Sequence, residues 1–383
     1  MTRRPFSGST DAMAEITRLT RAGDLQQATA RIQHMLGSKT VAVDPDVIEG
    51  EFTAVDQFET EMKPPKSRFT PAERSPLGQT LTRIAAGGMR PGPKRQSAQP
   101  APLPDGATFR LHTYSGPQGS RDYWLFTPGT ATQTPCPLVI MLHGCTQSPQ
   151  DFATGTRMNT LAAAQGVIVA YPAQPAAANM NKCWNWFRPT DQHRDAGEPA
   201  ILAGITRDVQ RQHNADPAQT YAAGLSAGAA AAVVLAQAYP DIFAAIGVHS
   251  GLPAGAARDV PQALQIMRTG AAGGRLVHPV PTIVFHGTAD QTVALKNGQA
   301  IMAQAQAGFG GTIQTEQGGS ANGRTYSRTT QTLADGRTIA ELWQIDGAAH
   351  AWSGGHAAGS YTDPAGPDAS AQMLRFFAQH RLS

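Results

Sequence analysis

The feature that most limits the possible folds of this chain is the alternation of apolar and helical segments after residue 107. Residues 138–142 and 167–171 are continuously apolar, which is typical of strands in a parallel sheet covered on both faces. Strand–helix alternation then continues to the last residues and predicts an α/β fold with right-handed crossovers. The predicted strands are residues 107–114 and 121–126 (an antiparallel pair), 138–142, 167–171, 220–224, 244–249, 282–285 and 338–345, and the predicted helices are residues 200–214, 227–239 and 369–380.

The N-terminal part of the chain has a different pattern. Residues 1–37 are predicted to form a helical hairpin, because apolar residues recur at helical spacing on both sides of a break at residues 22–24. Residues 38–104 are rich in Pro, Lys, Arg, Ser and Gln, a linker composition that a short helix at about residues 76–86 could interrupt. We therefore expect a helical or poorly ordered N-terminal extension, followed by one α/β domain over residues 105–383.

Charge and composition exclude several classes of protein. The net charge of +3, from 31 basic and 28 acidic residues, argues against a nucleic-acid binder, which normally carries a basic stripe. No apolar run approaches the ~20 residues that a membrane-spanning helix needs. Three cysteines are too few for a structural zinc site, so we expect no metal. The opening Met-Thr-Arg-Arg is followed by no apolar segment, which predicts a cytoplasmic protein by default, with secretion as the alternative.

A candidate nucleophile lies in the sequence Gly224-Leu225-Ser226-Ala227-Gly228. It matches the pattern G-x-S-x-G, in which a serine occupies a tight turn from a strand to a helix. The glycines are required because the turn is crowded on both sides of the serine. The pattern alone also fits a glycine-rich turn with an unreactive serine, but here a predicted strand precedes it and a predicted helix follows it.

A nucleophilic serine requires a base, and the base requires an orienting carboxylate. Downstream of Ser226, Asp290 follows the predicted strand 282–285, and His350 follows the strand that ends at residue 345. The order serine, aspartate, histidine is the chain order of enzymes with this type of turn. Both residues are predicted to lie at the carboxyl edge of the sheet, where open α/β folds bind ligands.

Other residues compete for these two roles. Asp346 lies four residues before His350 and is an alternative carboxylate, which we interpret as a surface residue. His286 precedes Asp290 on the same turn and is interpreted as a structural histidine, whereas His356 is an alternative base close to His350.

Acyl transfer also needs N–H donors for the oxyanion that forms on the substrate. One is expected from the backbone of Ala227, directly after the nucleophile. The other is expected from the loop after strand 138–142, where Gly144 allows close approach and Cys145 offers its N–H. His143 is interpreted as a residue that fixes this loop.

These segments together resemble the poly(3-hydroxybutyrate) depolymerase family of esterases, which is related to the feruloyl and acetylxylan esterases of carbohydrate esterase family 1. The resemblance covers roughly residues 107–383 and implies an α/β-hydrolase fold. It implies Ser226, Asp290 and His350 as the catalytic triad, with the amides of Cys145 and Ala227 as oxyanion donors. The motifs that carry it are HGCTQ (143–147), CWNWF (183–187), GLSAG (224–228), HSGLP (249–253), HGTAD (286–290) and GAAHAW (347–352).

The resemblance implies a serine esterase that needs no metal or cofactor and forms an acyl-enzyme. Its expected substrates are 3-hydroxybutyrate oligomers or polymer, or short-chain esters. One alternative is a feruloyl- or acetyl-esterase that acts on plant-derived esters. Another is a granule- or partner-binding protein with a vestigial hydrolase core, in which the N-terminal extension serves as the docking module.

The family also places the segment that begins at Cys183 beside the same site. A disulfide between Cys145 and Cys183 is therefore one expectation, with two reduced thiols as the alternative, because such bonds are rare in the cytoplasm. Trp184, Trp186 and Trp352 are expected to contact substrate, although one of the first two could belong to the core instead.

Overall fold

The structure is a computed structural model that describes residues 103–131, 134–272, 276, 278–321 and 323–383. The hairpin predicted for residues 1–37 and nearly all of the linker predicted for residues 38–104 lie outside the described residues. The strands of the described part are β1 (Thr108–Gly116), β2 (Gly119–Thr127), β3 (Cys136–Leu142), β4 (Ile168–Pro172), β5 (Ala215–Leu225), β6 (Ala245–His249), β7 (Thr282–Gly287), β8 (Thr312–Gly319), β9 (Thr325–Thr332), β10 (Thr338–Ile345), β11 (Trp352–Ser353) and β12 (Thr362–Asp363).

The helices pack on this framework. The α-helices of the described residues are α1 (Pro149–Thr156), α2 (Met158–Gln165), α3 (Gly197–Gln212), α4 (Ala227–Ala238), α5 (Val260–Thr269), α6 (Leu295–Gln306) and α7 (Ala369–Phe377), with a short 3₁₀ turn at Pro189–Asp191. Among the described residues, no helix combines the length and the apolar character that crossing a lipid bilayer requires.

Ten of the described strands form one sheet in the order β1-β2-β4-β3-β5-β6-β7-β10-β9-β8. The six central strands, from β4 to β10, run parallel, and antiparallel strands close both edges. The carboxyl ends of β5, β6, β7 and β10 therefore lie side by side. The loops that follow these neighbouring strands carry the candidate site.

The sheet is covered on both faces, as its apolar strands predict. In β3, Leu138, Ile140 and Leu142 belong to one buried cluster, which includes side chains of α3, α4 and α6. Val139 and Met141 point to the opposite face and belong to a second cluster, with side chains of α1, α2 and α7. Because successive side chains of a strand alternate between faces, a strand that is apolar at every position must be covered on both faces. The predicted α/β-hydrolase architecture is confirmed.

Some strands and helices have other bounds than the sequence predicts, and others were not predicted. Strand β5 begins at Ala215, five residues before the predicted start, and helix α3 begins at Gly197 and ends at Gln212. Strands β8 and β9 were not expected, because β8 is exposed along almost its whole length and shows no apolar periodicity. Helices α1, α2, α5 and α6 were not expected either. Each is 8 to 12 residues long, which leaves few turns in which a helical period can show.

Candidate active site

Ser226 occupies a strained turn between β5 and α4. Its backbone has φ 58° and ψ −119°, in the left-handed half of conformational space that residues other than glycine rarely adopt. The turn is close-packed against the neighbouring loop. A Cβ on Gly228 would lie 2.1 Å from the carbonyl oxygen of Leu142, and one on Gly224 would lie 2.4 Å from the carbonyl carbon of Gly228. The two glycines are thus required by space.

Backbone hydrogen bonds join the carboxyl ends of neighbouring strands. The N–H of Ser226 donates to the oxygen of His249, linking the end of β5 to β6 at 2.9 Å. Ser250 N–H donates to Phe285 O, and Thr288 N–H donates to Ile345 O, each also at 2.9 Å. One bond therefore connects each successive pair, from β5 through β6 and β7 to β10. The loops after these strands have fixed relative positions.

Asp290 and His350 come together at this edge. His350 Nδ1 lies 2.7 Å from Asp290 Oδ2, while Asp290 Oδ1 accepts the N–H groups of Thr292 and Val293, each at 2.9 Å. The loop of His350 is held to that of Asp290, because Ala289 N–H donates to Ala348 O at 3.0 Å. The structure thus brings the side chains of Asp290 and His350, which follow β7 and β10, into contact.

The protonation state of Asp290 determines the tautomer of His350. Burial alone would raise the pKa of the Asp290 carboxyl, but the charge and hydrogen bond of His350 outweigh burial and hold the pKa at about 2. At neutral pH the carboxylate is therefore ionised and can only accept a hydrogen bond. Nδ1 of His350 must carry the proton, which leaves Nε2 of the neutral imidazole as a base.

The competing residues take other positions. Asp346 is exposed and accepts a hydrogen bond from Thr325 Oγ1 at 2.6 Å. His286 is buried, and its Nε2 lies 2.8 Å from Val293 O and 3.7 Å from Asp290 Oδ2. Burial lowers the pKa of His286, which therefore stays neutral behind the carboxylate. His356 is exposed, and its Nδ1 accepts the N–H of Ala358.

Two backbone N–H groups are free beside Ser226. Within the described residues, no acceptor contacts the N–H of Cys145 or of Ala227, and both residues line the same cavity as Ser226. Helix α4 begins at Ala227, so this N–H also lies at the positive end of the helix dipole. The loop of Cys145 is fixed from within, since Gly144 N–H donates to Gln147 Oε1 at 2.9 Å.

A disulfide bond joins Cys145 to Cys183 across 38 positions of sequence, with their Cα atoms 4.2 Å apart. It connects the loop after β3 to the segment 183–187. Cys136, at the start of β3, is a buried free thiol. Of the two expectations for Cys145 and Cys183, the structure has the bonded one.

The cavity beside Ser226 has a volume of about 200 Å³ and is mostly apolar. Helix α5 supplies much of one wall, with Leu264 and Met267, and Trp186 and Leu252 supply further apolar surface. Among the described residues that line it, none carries a charge. The cavity suits a neutral group of small size. The sequence analysis missed α5, although Asp259 caps its first turn, Pro261 is its second residue, and Gly270 marks its end.

The three tryptophans predicted to contact substrate lie in different places. Trp186 lines the cavity. Trp184 is fully buried and donates from Nε1 to the oxygen of His143 at 3.0 Å. Trp352 is fully buried on the other face of the sheet and donates from Nε1 to Ser370 Oγ at 3.1 Å. Direct substrate contact by Trp184 and Trp352 does not agree with this geometry, because each indole is enclosed in the core with its N–H already paired.

A buried carboxylate next to the segment 183–187 was not anticipated. Glu198, in the first turn of α3, accepts hydrogen bonds from Asn185 N and Asn185 Nδ2, each at 2.7 Å, and from Gln174 Nε2. Burial raises the pKa of Glu198, and the hydrogen bonds from Asn185 and Gln174 oppose this rise. In the sequence Glu198 is an isolated acidic residue before a helix, a common position that gives no sign of this network.

Fold and site together define a class of protein. A mostly parallel sheet with a serine elbow after β5, and an aspartate–histidine pair after β7 and β10, is the arrangement of the α/β-hydrolases. The structure is similar to that of an acetyl xylan esterase from Aspergillus awamori, with a TM-score of 0.54 and 19% sequence identity over 71% of this chain and 99% of that chain. At this identity the likeness shows the fold.

Within that class, the chain belongs to the family described as Esterase PHB depolymerase, whose sequence pattern matches residues 121–326, more than half of the 383 residues. This confirms the resemblance found in the motifs. Ser226 and Asp290 lie inside the matched range, and His350 follows it.

The curated relatives include depolymerases, acetylxylan esterases and a feruloyl esterase. The poly(3-hydroxyalkanoate) depolymerase C of Paucimonas lemoignei is 33% identical over 229 residues, which are 56% of this chain and 54% of that protein. The feruloyl esterase B of Thermothelomyces thermophilus is 31% identical over 135 residues, 35% of this chain and 45% of that protein. The chain thus spans about half the length of the curated relatives it matches.

Proposed function

We propose that this protein is a serine hydrolase of carboxylic esters, with Ser226 as nucleophile, His350 as base and Asp290 as the residue that orients the base. The observation that carries the proposal is the convergence of three features at one edge of the sheet. They are the strained Ser226 turn, the 2.7 Å contact between His350 and Asp290, and the two free N–H groups that share a cavity with Ser226.

The proposed reaction has two steps. His350 Nε2 accepts the proton of Ser226 Oγ as the oxygen attacks the ester carbonyl, and the ionised Asp290 stabilises the imidazolium that results. The N–H groups of Cys145 and Ala227 donate to the oxyanion of the tetrahedral intermediate. His350 then gives its proton to the departing alcohol, leaving an acyl-enzyme. Water, activated by the same histidine, hydrolyses that ester and releases the acid and Ser226.

For the substrate, we propose 3-hydroxybutyrate oligomers or polymer, or short-chain esters. The apolar, uncharged lining of the cavity supports a neutral acyl group of modest size. The depolymerase named among the relatives gives the same indication. A feruloyl- or acetyl-esterase acting on plant-derived esters is the second candidate, and the relative named feruloyl esterase B supports it.

The extension before the domain has a proposed role of its own. We propose that residues 1–104 dock the enzyme on a granule or a protein partner, a suggestion supported by their sequence pattern alone. For location, the Cys145–Cys183 bond supports a secreted protein, because disulfides form mainly in oxidising compartments.

A panel of esters tests the function. We expect hydrolysis of hydroxybutyrate oligomers and of p-nitrophenyl acetate and butyrate, with much lower kcat/KM for methyl ferulate. Ser226→Ala serves as the control and should lose several powers of ten in turnover. A higher kcat/KM for methyl ferulate than for the oligomers would select the second candidate. Failure to hydrolyse any ester of the panel would contradict the proposed function itself.

A further inference from the structure

Glu198 is a buried carboxylate that the proposed reaction does not use. Only 7% of the surface of Glu198 is exposed. No lysine, arginine or histidine of the described residues forms an ion pair with it. Its oxygens instead accept three N–H groups, from Asn185 N, Asn185 Nδ2 and Gln174 Nε2. A buried charge is costly unless it is well bonded, so these three donors hold the carboxylate and are in turn held by it.

One path from Glu198 leads through Asn185 to the loop of Cys145. Asn185 Oδ1 accepts from Asn179 Nδ2 at 3.1 Å, and Asn179 Oδ1 accepts from the N–H of Asn181 at 3.0 Å. The carbonyl of Asn181 then accepts the N–H of Thr146 at 2.7 Å. Thr146 directly follows Cys145, whose N–H is the proposed oxyanion donor. Each residue of this path is joined to the next by a hydrogen bond.

A second path leads through Gln174. Its Nε2, which donates to Glu198, also donates to the carbonyl of Cys183 at 2.9 Å. Its backbone N–H donates to His143 Nε2 at 3.1 Å. Cys183 is bonded to Cys145, and His143 lies two residues before Cys145. The two paths therefore reach the Cys145 loop from both ends, and Glu198 is the point at which they meet.

We propose that Glu198 is a positioning residue, which fixes the N–H of Cys145 relative to Ser226 by anchoring Asn185 and Gln174. This inference rests on the proposed function, since it assigns Glu198 to the oxyanion donor of that reaction. Its physical basis is that a donor displaced by about 1 Å can lower a rate by roughly 100-fold without altering substrate binding. All three partners of Glu198 are donors, so the site requires a carboxylate with no hydrogen of its own.

The variant Glu198→Gln tests the proposal. It keeps the size of the side chain but replaces one oxygen by an NH₂ group, which must then face an N–H donor in either orientation. Glu341→Gln is the matched control. Glu341 is also a fully buried glutamate, and it accepts from Arg375 Nη2 at 2.7 and 2.8 Å and from Trp343 Nε1 at 3.0 Å, outside both paths.

Two readouts separate positioning from stability. The first is kcat and KM for p-nitrophenyl butyrate, measured below the melting temperature of each protein. The second is the rate at which dithiothreitol reduces the Cys145–Cys183 bond, followed by alkylation and mass spectrometry. For Glu198→Gln we expect kcat to fall by about 10- to 100-fold, KM to stay within about twofold, and reduction to become about tenfold faster. For Glu341→Gln we expect a lower melting temperature with kcat and reduction rate as in the wild type.

Two results would overturn the inference. One is a Glu198→Gln protein with wild-type kcat and wild-type reduction rate. The other is an equal loss of kcat in both variants, which would reduce Glu198 to a residue that only stabilises the fold. If the wild type hydrolyses no ester, the proposed function fails separately. The reduction rate then still decides whether Glu198 holds the Cys145 loop, because that readout needs no catalysis.

Discussion

At Asp290, burial and charge act on one carboxyl group in opposite directions. Burial favours the neutral acid, but the contact with His350 and the N–H groups of Thr292 and Val293 favour the anion, and the anion prevails with a pKa of about 2. An acceptor with no hydrogen of its own then faces Nδ1 of His350 across the neutral and mildly acidic range. The orientation of the base is thus determined by charge as well as by distance.

Replacing the two candidate carboxylates tests this account. Asp290→Asn keeps the shape but removes the charge and can present an NH₂ group to Nδ1, so we expect kcat/KM to fall by about 10³- to 10⁴-fold. Asp346→Asn is the control, because Asp346 is exposed and bonded to Thr325, and its kcat/KM should stay within about twofold. Rates for p-nitrophenyl butyrate give the comparison. The reverse ranking would show that Asp346 orients the histidine.

Local motifs contain the residues that the sequence singles out most clearly. Ser226 and Asp290 each lie in a short motif, in which one turn determines which residue types stand on either side of them. Glu198 is different, because its partners lie 13 and 24 residues away and become neighbours only in the folded chain. Trp184 shows that the sequence can also suggest a site role for a residue that belongs to the core. An aromatic residue beside a site motif has no sequence signature that distinguishes the cavity wall from the core.

Among the elements, the turn from β5 to α4 depends most on the absence of side chains. A Cβ on Gly228 would lie 2.1 Å from the carbonyl oxygen of Leu142 and 2.6 Å from that of His143. These atoms belong to the end of β3 and to the loop of the proposed oxyanion donor. A side chain at residue 228 would therefore push the Ser226 turn away from that loop.

Gly228→Ala should accordingly destabilise the protein by about 1–3 kcal/mol and lower kcat more than it raises KM. Gly319→Ala is the control, since a Cβ at Gly319 would have no atom within 4 Å. Thermal unfolding and ester hydrolysis of both variants provide the measurements. Equal melting temperatures for the two variants would contradict the close packing described for the elbow.

Strands could be predicted where the burial of their side chains leaves an apolar pattern in the sequence. The strand β3 is apolar at every position because both faces are covered, and that pattern is visible in the sequence. β8 is an exposed edge strand that pairs antiparallel with the half-buried β9, and this pairing comes from backbone hydrogen bonds and imposes little on the side chains. Helix α5 falls between these cases. Its cap and terminal glycine are readable, but its ten residues carry one buried side chain, Ala263.

For the molecule as a whole, strand order determines which residues can meet. Ser226 follows β5, Asp290 follows β7 and His350 follows β10, and these strands are separated in the sheet by β6 alone. Residues 60 to 124 positions apart in sequence thus share one edge. The sequence predicts the edge, because parallel strands present their carboxyl ends together. It does not predict the order of the strands, which follows from packing of the helices on both faces.

The central claim is that Ser226 is the nucleophile of an ester hydrolase. Its most direct test is covalent trapping with a fluorophosphonate, which forms a stable adduct with an activated serine. Intact mass and peptide mapping of the labelled protein should show one adduct, on Ser226, and Ser226→Ala should remain unlabelled under the same conditions. An unlabelled wild-type protein, or an adduct on a serine other than Ser226, would contradict the account.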